Sequence, residues 1–379
     1  MSESSIHSAK VVASAVASHF ENHFAAIAGN EIDAFLQQPD IKTIEAIINA
    51  GFWSSLRREE GRSPKISLAF LPPAECENPL LFGRRLPLSP KILTKIAPGV
   101  ERSGIHLGVW RDSEELYIWG TTKSVPPFCF ILEVVEPGLL VVKHRRTQGF
   151  GKFVNVAILD GDQVKIVLDE TSTIPDCPDL LTNMMGLNST SSWNTSINVL
   201  VQMAASMRAH GRGGALLVVP KNTDDWKKSI VQPITYPVAP SFNGLAYLLQ
   251  QSKQEKLDVS WQTALNREVD HIAGLSAVDG ATIITQDCEL MAFGAKIHRA
   301  SGSEQIEKII LTEPVVGNKA MVVHPSLTGG TRHLSAAQFV HDQKGSLALV
   351  ASQDGRFTIF AWSPCEGMVH AHRVDSLLL

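Results

Sequence analysis

The spacing of apolar residues predicts two helices at the start of the chain. In each segment, apolar side chains recur every three or four positions, as they do along one face of an α-helix. The apolar positions are Val12, Val16, Phe20 and Phe24 in the first segment, and Ile41, Ile44, Ile47 and Ile48 in the second. Asp40 is placed to cap the second helix, and Gly51 is placed to end it.

The next region reads as β-structure. Residues 65–97 contain many prolines and predict an irregular segment. In residues 104–170, short apolar runs are separated by turn sequences such as Glu136-Pro137-Gly138 and Asp160-Gly161-Asp162. This pattern predicts an antiparallel sheet or small barrel. The predicted strands are residues 105–110, 116–119, 128–135, 139–143, 152–159 and 163–168.

A polar segment, residues 169–194, is the best linker candidate, and a different pattern follows it. There, helical segments alternate with apolar strands, which predicts a mixed α/β domain. The predicted helices are residues 193–208, a helix within residues 237–254, and residues 261–272. The predicted strands are residues 215–219, 278–285, 319–323, 347–352 and 357–362. We therefore expect three parts. They are an N-terminal helical segment (1–50), a β-rich domain (51–175) and an α/β domain (190–379) whose mixed central sheet is flanked by helices.

Composition narrows the class of protein. Hydrophobic residues make up 44% of the 379 residues and charged residues 19%, which is enough apolar material for folded cores and excludes a mainly disordered chain. The net charge of −4 argues against a nucleic-acid partner. No apolar run approaches the roughly 20 residues that cross a membrane, and the N-terminus lacks a signal-peptide pattern. The five scattered cysteines predict reduced thiols. We expect a cytoplasmic protein.

Three segments could carry chemistry, and Asp279-Gly280-Ala281 is the first. It places a carboxylate at the entry to an apolar strand, where Asp279 could hold a divalent cation or accept a proton from a hydroxyl group. Gly280 has no side chain, so a ligand could lie directly on the backbone there. The same residues are also compatible with an ordinary Asp-Gly turn.

The second segment, Gly329 to His333, is a glycine-containing loop that leads into a predicted helix. Free N–H groups and the positive end of the helix dipole would favour an anion there. Arg332 adds a two-pronged donor, and His333 adds a donor whose charge can follow the local pH. A simple helix cap explains the pattern equally well. The third segment is Ser352, which ends a strand and could reach a phosphate or belong to a plain hairpin.

Taken together, these segments resemble the diadenylate cyclase (DisA-type) domain. The matching residues are Asp279-Gly280-Ala281, Gly330-Thr331-Arg332-His333 and Ser352, with Gly213–Val219 as an early core strand. The resemblance covers residues 195–365. One departure is Leu334, which stands where the family has a second arginine. Either another basic residue compensates (Lys296, Arg299 or Arg212), or the domain binds a nucleotide without fast turnover.

The resemblance implies an enzyme that condenses two ATP molecules into cyclic di-AMP and pyrophosphate. It implies a metal ion, Mg²⁺ or Mn²⁺, on Asp279, and two such domains facing each other in a homo-oligomer. It assigns catalytic roles to Asp279, Arg332 and His333, and nucleotide contacts to Gly280, Ala281, Gly330, Thr331 and Ser352. Two alternatives remain open: a degenerate cyclase domain that senses a nucleotide, and a structural scaffold.

The β-rich region resembles the probable sensor domains found ahead of cyclase-like domains in bacterial defence-type systems. The residues that carry this resemblance are 104–110, 116–120 and 136–143. It implies an unknown ligand for this domain. The sequence Lys143-His144-Arg145-Arg146 follows as a basic segment that could hold a phosphate-bearing ligand or form a solvated turn.

Overall fold

The computed structural model describes residues 6–27, 38–102, 104–112, 115–146, 153–168, 181, 184, 195–251 and 259–379. The chain divides into two compact units, Met1–Asp169 with Leu379, and Glu170–Leu378. Each unit contains a mixed sheet with flanking helices. The predicted linker lies outside the described residues, apart from Leu181 and Met184. Within the described part of the chain, no helix combines the length and apolar character needed to span a membrane.

The sheet of the first unit has eight strands in the order β2-β4-β3-β1-β5-β6-β7-β8. The strands are β1 Ile66–Phe70, β2 Leu80–Pro87, β3 His106–Asp112, β4 Glu115–Thr122, β5 Phe130–Glu136, β6 Leu139–Arg145, β7 Phe153–Asp160 and β8 Gln163–Ile166. The six predicted strands are present with shifted ends. The prediction of a purely antiparallel sheet is wrong, because β1 and β3 run parallel.

The irregular segment predicted at residues 65–97 is also wrong, because it contains β1 and β2. β1 lies in the middle of the sheet, between β3 and β5, and most of its side chains are buried. A buried strand is apolar on both faces and therefore lacks the alternation that identifies a half-buried strand. Because prolines follow this short apolar run, the sequence pattern predicted an irregular segment there.

Three helices accompany this sheet: α1 His7–Ile27, α2 Ile41–Ser55 and α3 Pro90–Ile96. On α1, the predicted apolar positions Val12, Val16 and Phe20 are buried, whereas the side chain of Phe24 lies outside the described residues. Asp40 caps α2 as predicted, since its carboxylate accepts a hydrogen bond from the Thr43 N–H group at 2.8 Å.

Two details of α2 differ from the prediction. Ile41 is 49% exposed, so the buried stripe consists of Ile44, Ile47 and Ile48. The helix also continues past Gly51 to Ser55. A Cβ atom at Gly51 would lie 2.7 Å from the Leu132 side chain, so this glycine allows the helix to approach the sheet closely rather than ending the helix.

The second unit is built on a nine-stranded sheet in the order β10-β12-β11-β9-β15-β16-β17-β13-β14. The strands are β9 Gly214–Val219, β10 Tyr236–Phe242, β11 Ala281–Thr285, β12 Leu290–Ala295, β13 Ile309–Thr312, β14 Met321–Val323, β15 Leu347–Ala351, β16 Phe357–Ser363 and β17 Met368–Arg373. The helices are α4 Thr195–Ala209, α5 Gly244–Gln250, α6 Val259–Leu275 and α7 Thr331–Asp342. The β9–β11 and β13–β17 pairs are parallel, and the other pairs are antiparallel.

The predicted mixed sheet is present, but the sequence missed β10, β12, β13 and β17. The helix predicted within residues 237–254 is present as Gly244–Gln250, and β10 precedes it. Pro237 and Pro240 argued against a strand in the sequence, yet β10 lies at the edge of the sheet, where proline is tolerated.

Phe339 and Val340 of α7 pack on the sheet in one core cluster with Phe360.

Candidate functional site

All eight predicted site residues line one cleft of the second unit, with a volume of about 570 Å³. They are Asp279, Gly280, Ala281, Gly330, Thr331, Arg332, His333 and Ser352. The other lining residues are Ala215, Ala295, Lys296, Ile297, Ser335, Ala351 and Gln353. The structure therefore brings together Asp279 and Arg332, which are about fifty positions apart in the sequence.

The floor of the cleft consists of small side chains on adjacent strands. Ala295 pairs with Ala281, and Ala281 pairs with Ala215, so these three methyl groups form one row across β12, β11 and β9. Ala351 is the last residue of β15, where it pairs with Gly214. All four alanines are buried. Small side chains here leave room between the end of the sheet and the start of α7.

Gly280 is required for a different reason from the predicted one. Its φ angle of +106° lies in the region that favours glycine. A Cβ atom there would lie 2.5 Å from the backbone carbon of Gly294, so the protein itself fills the space that a side chain would take. The glycine thus permits the close approach of backbone at the start of β11, and it also lines the cleft.

The start of α7 presents free donors to the cleft. Gly330 is the N-cap residue and offers no side-chain cap, and the first turn contains no acidic residue. The N–H groups of His333 and Leu334 donate to the Gly330 carbonyl, at 3.0 and 3.3 Å. Those of Thr331 and Arg332 have no acceptor among the described residues. These free donors and the helix dipole favour an anion at this end of the helix.

Three charged side chains line the cleft: Asp279, Lys296 and Arg332. Within the described ranges, none of them forms an ion pair. The Arg332 guanidinium group packs beside Gly213, where a Cβ atom would lie 3.0 Å from its Nη1 atom. Two permanent cations against one carboxylate leave an excess of positive charge, which favours an anionic ligand.

His333 differs chemically from the prediction. It is only 2% exposed, and its ring lies edge-on to Phe360 with the ring centres 6.1 Å apart. Burial lowers the pKa of His333 to about 4. The imidazole is therefore neutral at pH 7, and the expected charge that follows the local pH near neutrality is wrong. Its buried Nε2 atom has no hydrogen-bond partner in the described residues.

Ser352 belongs to the predicted hairpin and also lines the cleft. Its N–H group donates to the Arg356 carbonyl at 2.8 Å, which closes the hairpin between β15 and β16. Its hydroxyl group donates to the Asp354 carboxylate, and this hydrogen bond lowers the pKa of Asp354. Ser352 also lines the cleft, so the hairpin places it there.

Leu334, the departure from the family motif, is not among the residues that line the cleft. Successive residues of an α-helix are rotated by about 100°, so position 334 lies about 200° round the helix from Arg332. An arginine at position 334 would therefore start from the side of α7 opposite Arg332, three positions after the cleft residue Thr331. Of the three basic residues predicted to compensate, Lys296 lines the cleft, whereas Arg212 and Arg299 do not.

Sequence reasoning missed Ser335 and Gln353 as cleft residues. Ser335 follows Arg332 by three positions, so both lie on one helical face, and this spacing could have identified it. Gln353 directly follows Ser352, and its side-chain amide group donates to the Arg212 carbonyl at 3.4 Å. No sequence signal identifies Ala215 or Ala295, because their position depends on the pairing of the strands.

The donor set suits a metal ion only if that ion arrives with phosphate. Among the described residues, no group of three or more His, Cys, Asp or Glu side chains could hold a metal. Of the residues that the structure describes, Asp279 is the one carboxylate that lines the cleft. Magnesium is commonly held by one or two carboxylates together with the phosphates of a substrate, which is compatible with Asp279.

The basic segment of the first unit does not form a free phosphate-binding loop. Lys143 is buried and pairs with Glu133, and the guanidinium group of Arg145 donates to the Val125 carbonyl. Burial lowers the pKa of Arg146 to about 10. Lys143 and Arg145 belong to β6, so both charged groups already have partners within the unit. The residues that follow this segment, 147–152, lie outside the described residues.

Comparison with protein families finds a match in the first unit. Residues 34–123 match the family described as "Probable sensor domain DACNV". The match covers about a quarter of the chain, including α2 and β1 to β4. It supports the sensor part of the predicted resemblance, although the quoted residues 136–143 lie beyond it. A comparison with curated proteins finds no match.

Proposed function

We propose that this protein is a diadenylate cyclase, in which the sensor domain of the first unit controls a cyclase domain in the second. The observation that carries this proposal is the single cleft that contains both Asp279 and the start of α7 with Arg332. A carboxylate, two permanent cations and free helix N–H groups are the groups that a nucleoside triphosphate requires.

In the proposed reaction, the 3′-oxygen of each ATP attacks the α-phosphorus atom of the other. A new P–O bond forms, the bond from the α-phosphorus atom to the bridging oxygen of the β-phosphate breaks, and pyrophosphate leaves. One cleft holds one ATP, so two clefts must face each other, and the active species would be a homo-oligomer. Catalysis then depends on positioning the reactants and neutralising their charge.

The residues of the cleft divide these tasks. Thr331 and Arg332 would bind the triphosphate at the start of α7, with Gly330 allowing close approach. Ser352 would contact a phosphate oxygen at the other side of the helix start. Gly280 and Ala281 would support the nucleoside along the floor. His333 would act as a neutral packing residue beneath the loop, because burial keeps it uncharged.

Asp279 would hold the divalent cation, Mg²⁺ or Mn²⁺, that accompanies the triphosphate, and its carboxylate would accept the proton that the attacking 3′-hydroxyl group loses. The cation would supply charge neutralisation at the phosphates. None of the other described residues that line the cleft carries a carboxylate, so loss of the Asp279 carboxylate should abolish this function.

The proposal is tested by incubating the full chain with ATP and MnCl₂ and identifying products by mass spectrometry. We expect a cyclic dinucleotide from the parent chain and a loss of at least a hundredfold in the Asp279→Asn variant. The control is Asp224→Asn, since Asp224 is an exposed acid that pairs with Lys227 and does not line the cleft. Equal product from Asp279→Asn and the parent would refute the assignment of Asp279.

A second candidate is a domain that binds a nucleotide without turnover. The neutral state of His333 favours it, because Arg332 is then the one permanent charge in the first turn of α7. Calorimetry separates the two candidates. Binding of ATP in the presence of Mn²⁺ without any product, at protein concentrations that favour association, would support the binding domain.

A further inference from the structure

Lys296 stands at the side of the cleft opposite Arg332. It directly follows β12, whereas Arg332 packs beside Gly213, which directly precedes β9. Strands β12 and β9 are separated by two steps across the sheet. At about 4.8 Å a step, these two strands are about 10 Å apart.

The backbone around Lys296 is firmly held. Its carbonyl oxygen accepts a hydrogen bond from the Val231 N–H group at 2.8 Å, and the next residue, Ile297, forms a β-bridge with Ile230. The His298 N–H group donates to the Ser229 carbonyl at 3.0 Å. The protein thus fixes the point from which the lysine side chain extends.

The ammonium group of Lys296 is free to bind a ligand. The residue is exposed, and in the part of the chain that the structure describes it pairs with no carboxylate, Asp279 included. A lysine ammonium is a compact point charge with three donors on a flexible stem, which suits phosphate oxygens that lack one fixed geometry.

We propose that Lys296 binds phosphate oxygens of the nucleotide at the Asp279 side of the cleft, so that two cations from opposite sides hold the ligand. This inference rests on the proposed function in one respect, the choice of ATP as the ligand. It also accounts for the missing second arginine at position 334. The second cation of the cleft comes from β12 instead of α7.

The test measures the affinity for ATP of the full chain by calorimetry, with Mg²⁺ present. Lys296→Met removes the charge and keeps the length of the side chain, and Lys296→Arg keeps the charge. The matched control is Arg299→Met, because Arg299 is an exposed cation three residues away that does not line the cleft. The melting temperature of each variant without ligand checks its fold.

A charge-assisted hydrogen bond contributes enough for the loss of Lys296 to weaken ATP binding about ten- to a hundredfold. We expect this loss in Lys296→Met, substantial recovery in Lys296→Arg, and affinity within about threefold of the parent in Arg299→Met. A loss below tenfold in Lys296→Met, or an equal loss in Arg299→Met, would overturn the inference.

Product formation is measured on the same samples. A parent chain that binds ATP through Lys296 but makes no cyclic dinucleotide contradicts the proposed reaction and leaves the role of Lys296 intact. Product from the parent together with unchanged ATP affinity in Lys296→Met would support the proposed reaction and contradict the role of Lys296. A parent chain that binds no ATP overturns both.

Discussion

At the scale of single residues, burial determines the charge of the residues at the start of α7 more than residue type does. Arg332 and His333 are adjacent in the sequence, and both were expected to grip phosphate. Arg332 packs beside Gly213 at the cleft, whereas His333 is buried against Phe360. The helix turns by about 100° between them, so neighbours in sequence meet different environments.

The buried His333 predicts a dependence of stability on pH. Its folded pKa of about 4 lies below its unfolded value of about 6.5, so the unfolded state binds a proton more readily. The contribution of His333 to the free energy of unfolding is therefore fully present above pH 6.5, and it is lost as the pH is lowered towards 4. We expect His333 to account for a loss of about 2 kcal/mol between pH 7 and pH 5.

Urea unfolding at these two pH values measures the loss. His333→Gln should show a smaller difference between pH 7 and pH 5 than the parent. His271→Gln should behave as the parent does, because His271 is 62% exposed. Identical pH dependence in the parent and His333→Gln would show that the imidazole is not the responsible group.

Leu334 provides a second prediction at this scale. Because position 334 lies on the far side of α7 from Arg332 and is not among the cleft-lining residues, restoring the family arginine should bring little charge to the ligand. We expect Leu334→Arg to change product formation from ATP by less than about threefold, within the effect of a surface charge. A gain of tenfold or more would show that the missing arginine limits this site.

At the scale of helices and strands, the sequence predicted those elements that apolar spacing or flanking turn residues indicate. The buried faces of α1 and α2 and the paired strands β15 and β16 followed from spacing and turn residues. By contrast, β1 is buried in the centre of a sheet, and β10 contains two prolines at an edge. Neighbouring strands determine both positions, and a local pattern does not contain that information.

Gly51 tests the packing of α2 on the first sheet. A side chain there would meet Leu132 at 2.7 Å and Leu140 at 3.2 Å. We expect Gly51→Val to destabilise the first unit by about 1–3 kcal/mol, as overpacking of a well-packed core does. The control is Gly274→Val in α6, where a Cβ atom would have no neighbour within 4 Å.

Urea midpoints compare the two variants. Gly274→Val should stay within about 0.5 kcal/mol of the parent, as most surface substitutions do. If Gly51→Val were as stable as Gly274→Val, the close approach of α2 to β5 and β6 would be incorrect.

At the scale of the whole molecule, the candidate site was more predictable than the fold around it. The Asp279 and Arg332 motifs identified the cleft because both stand where an element begins, β11 or α7, and such ends carry free backbone groups. Ala215 and Ala295 were not assigned to a cleft, because their positions depend on strand order and register. The protonation state of His333 depends on its burial, which the sequence alone does not provide.

The proposed reaction requires two clefts, which gives a prediction for the assembly. Product formed per molecule of protein should rise with protein concentration and level off when the chain is fully associated. Activity and light scattering measured over the same dilution series test this. Constant activity per molecule across a range in which the chain is monomeric would rule out facing clefts.

The most direct test of the central claim is a crystal structure of the chain with an ATP analogue that cannot be cleaved between its α- and β-phosphates. The predicted result is triphosphate density at the start of α7, in contact with Arg332 and with the Thr331 N–H group, and a nucleoside beside Ala281. Density for the analogue at another surface, with this cleft empty, would contradict the assignment of the site.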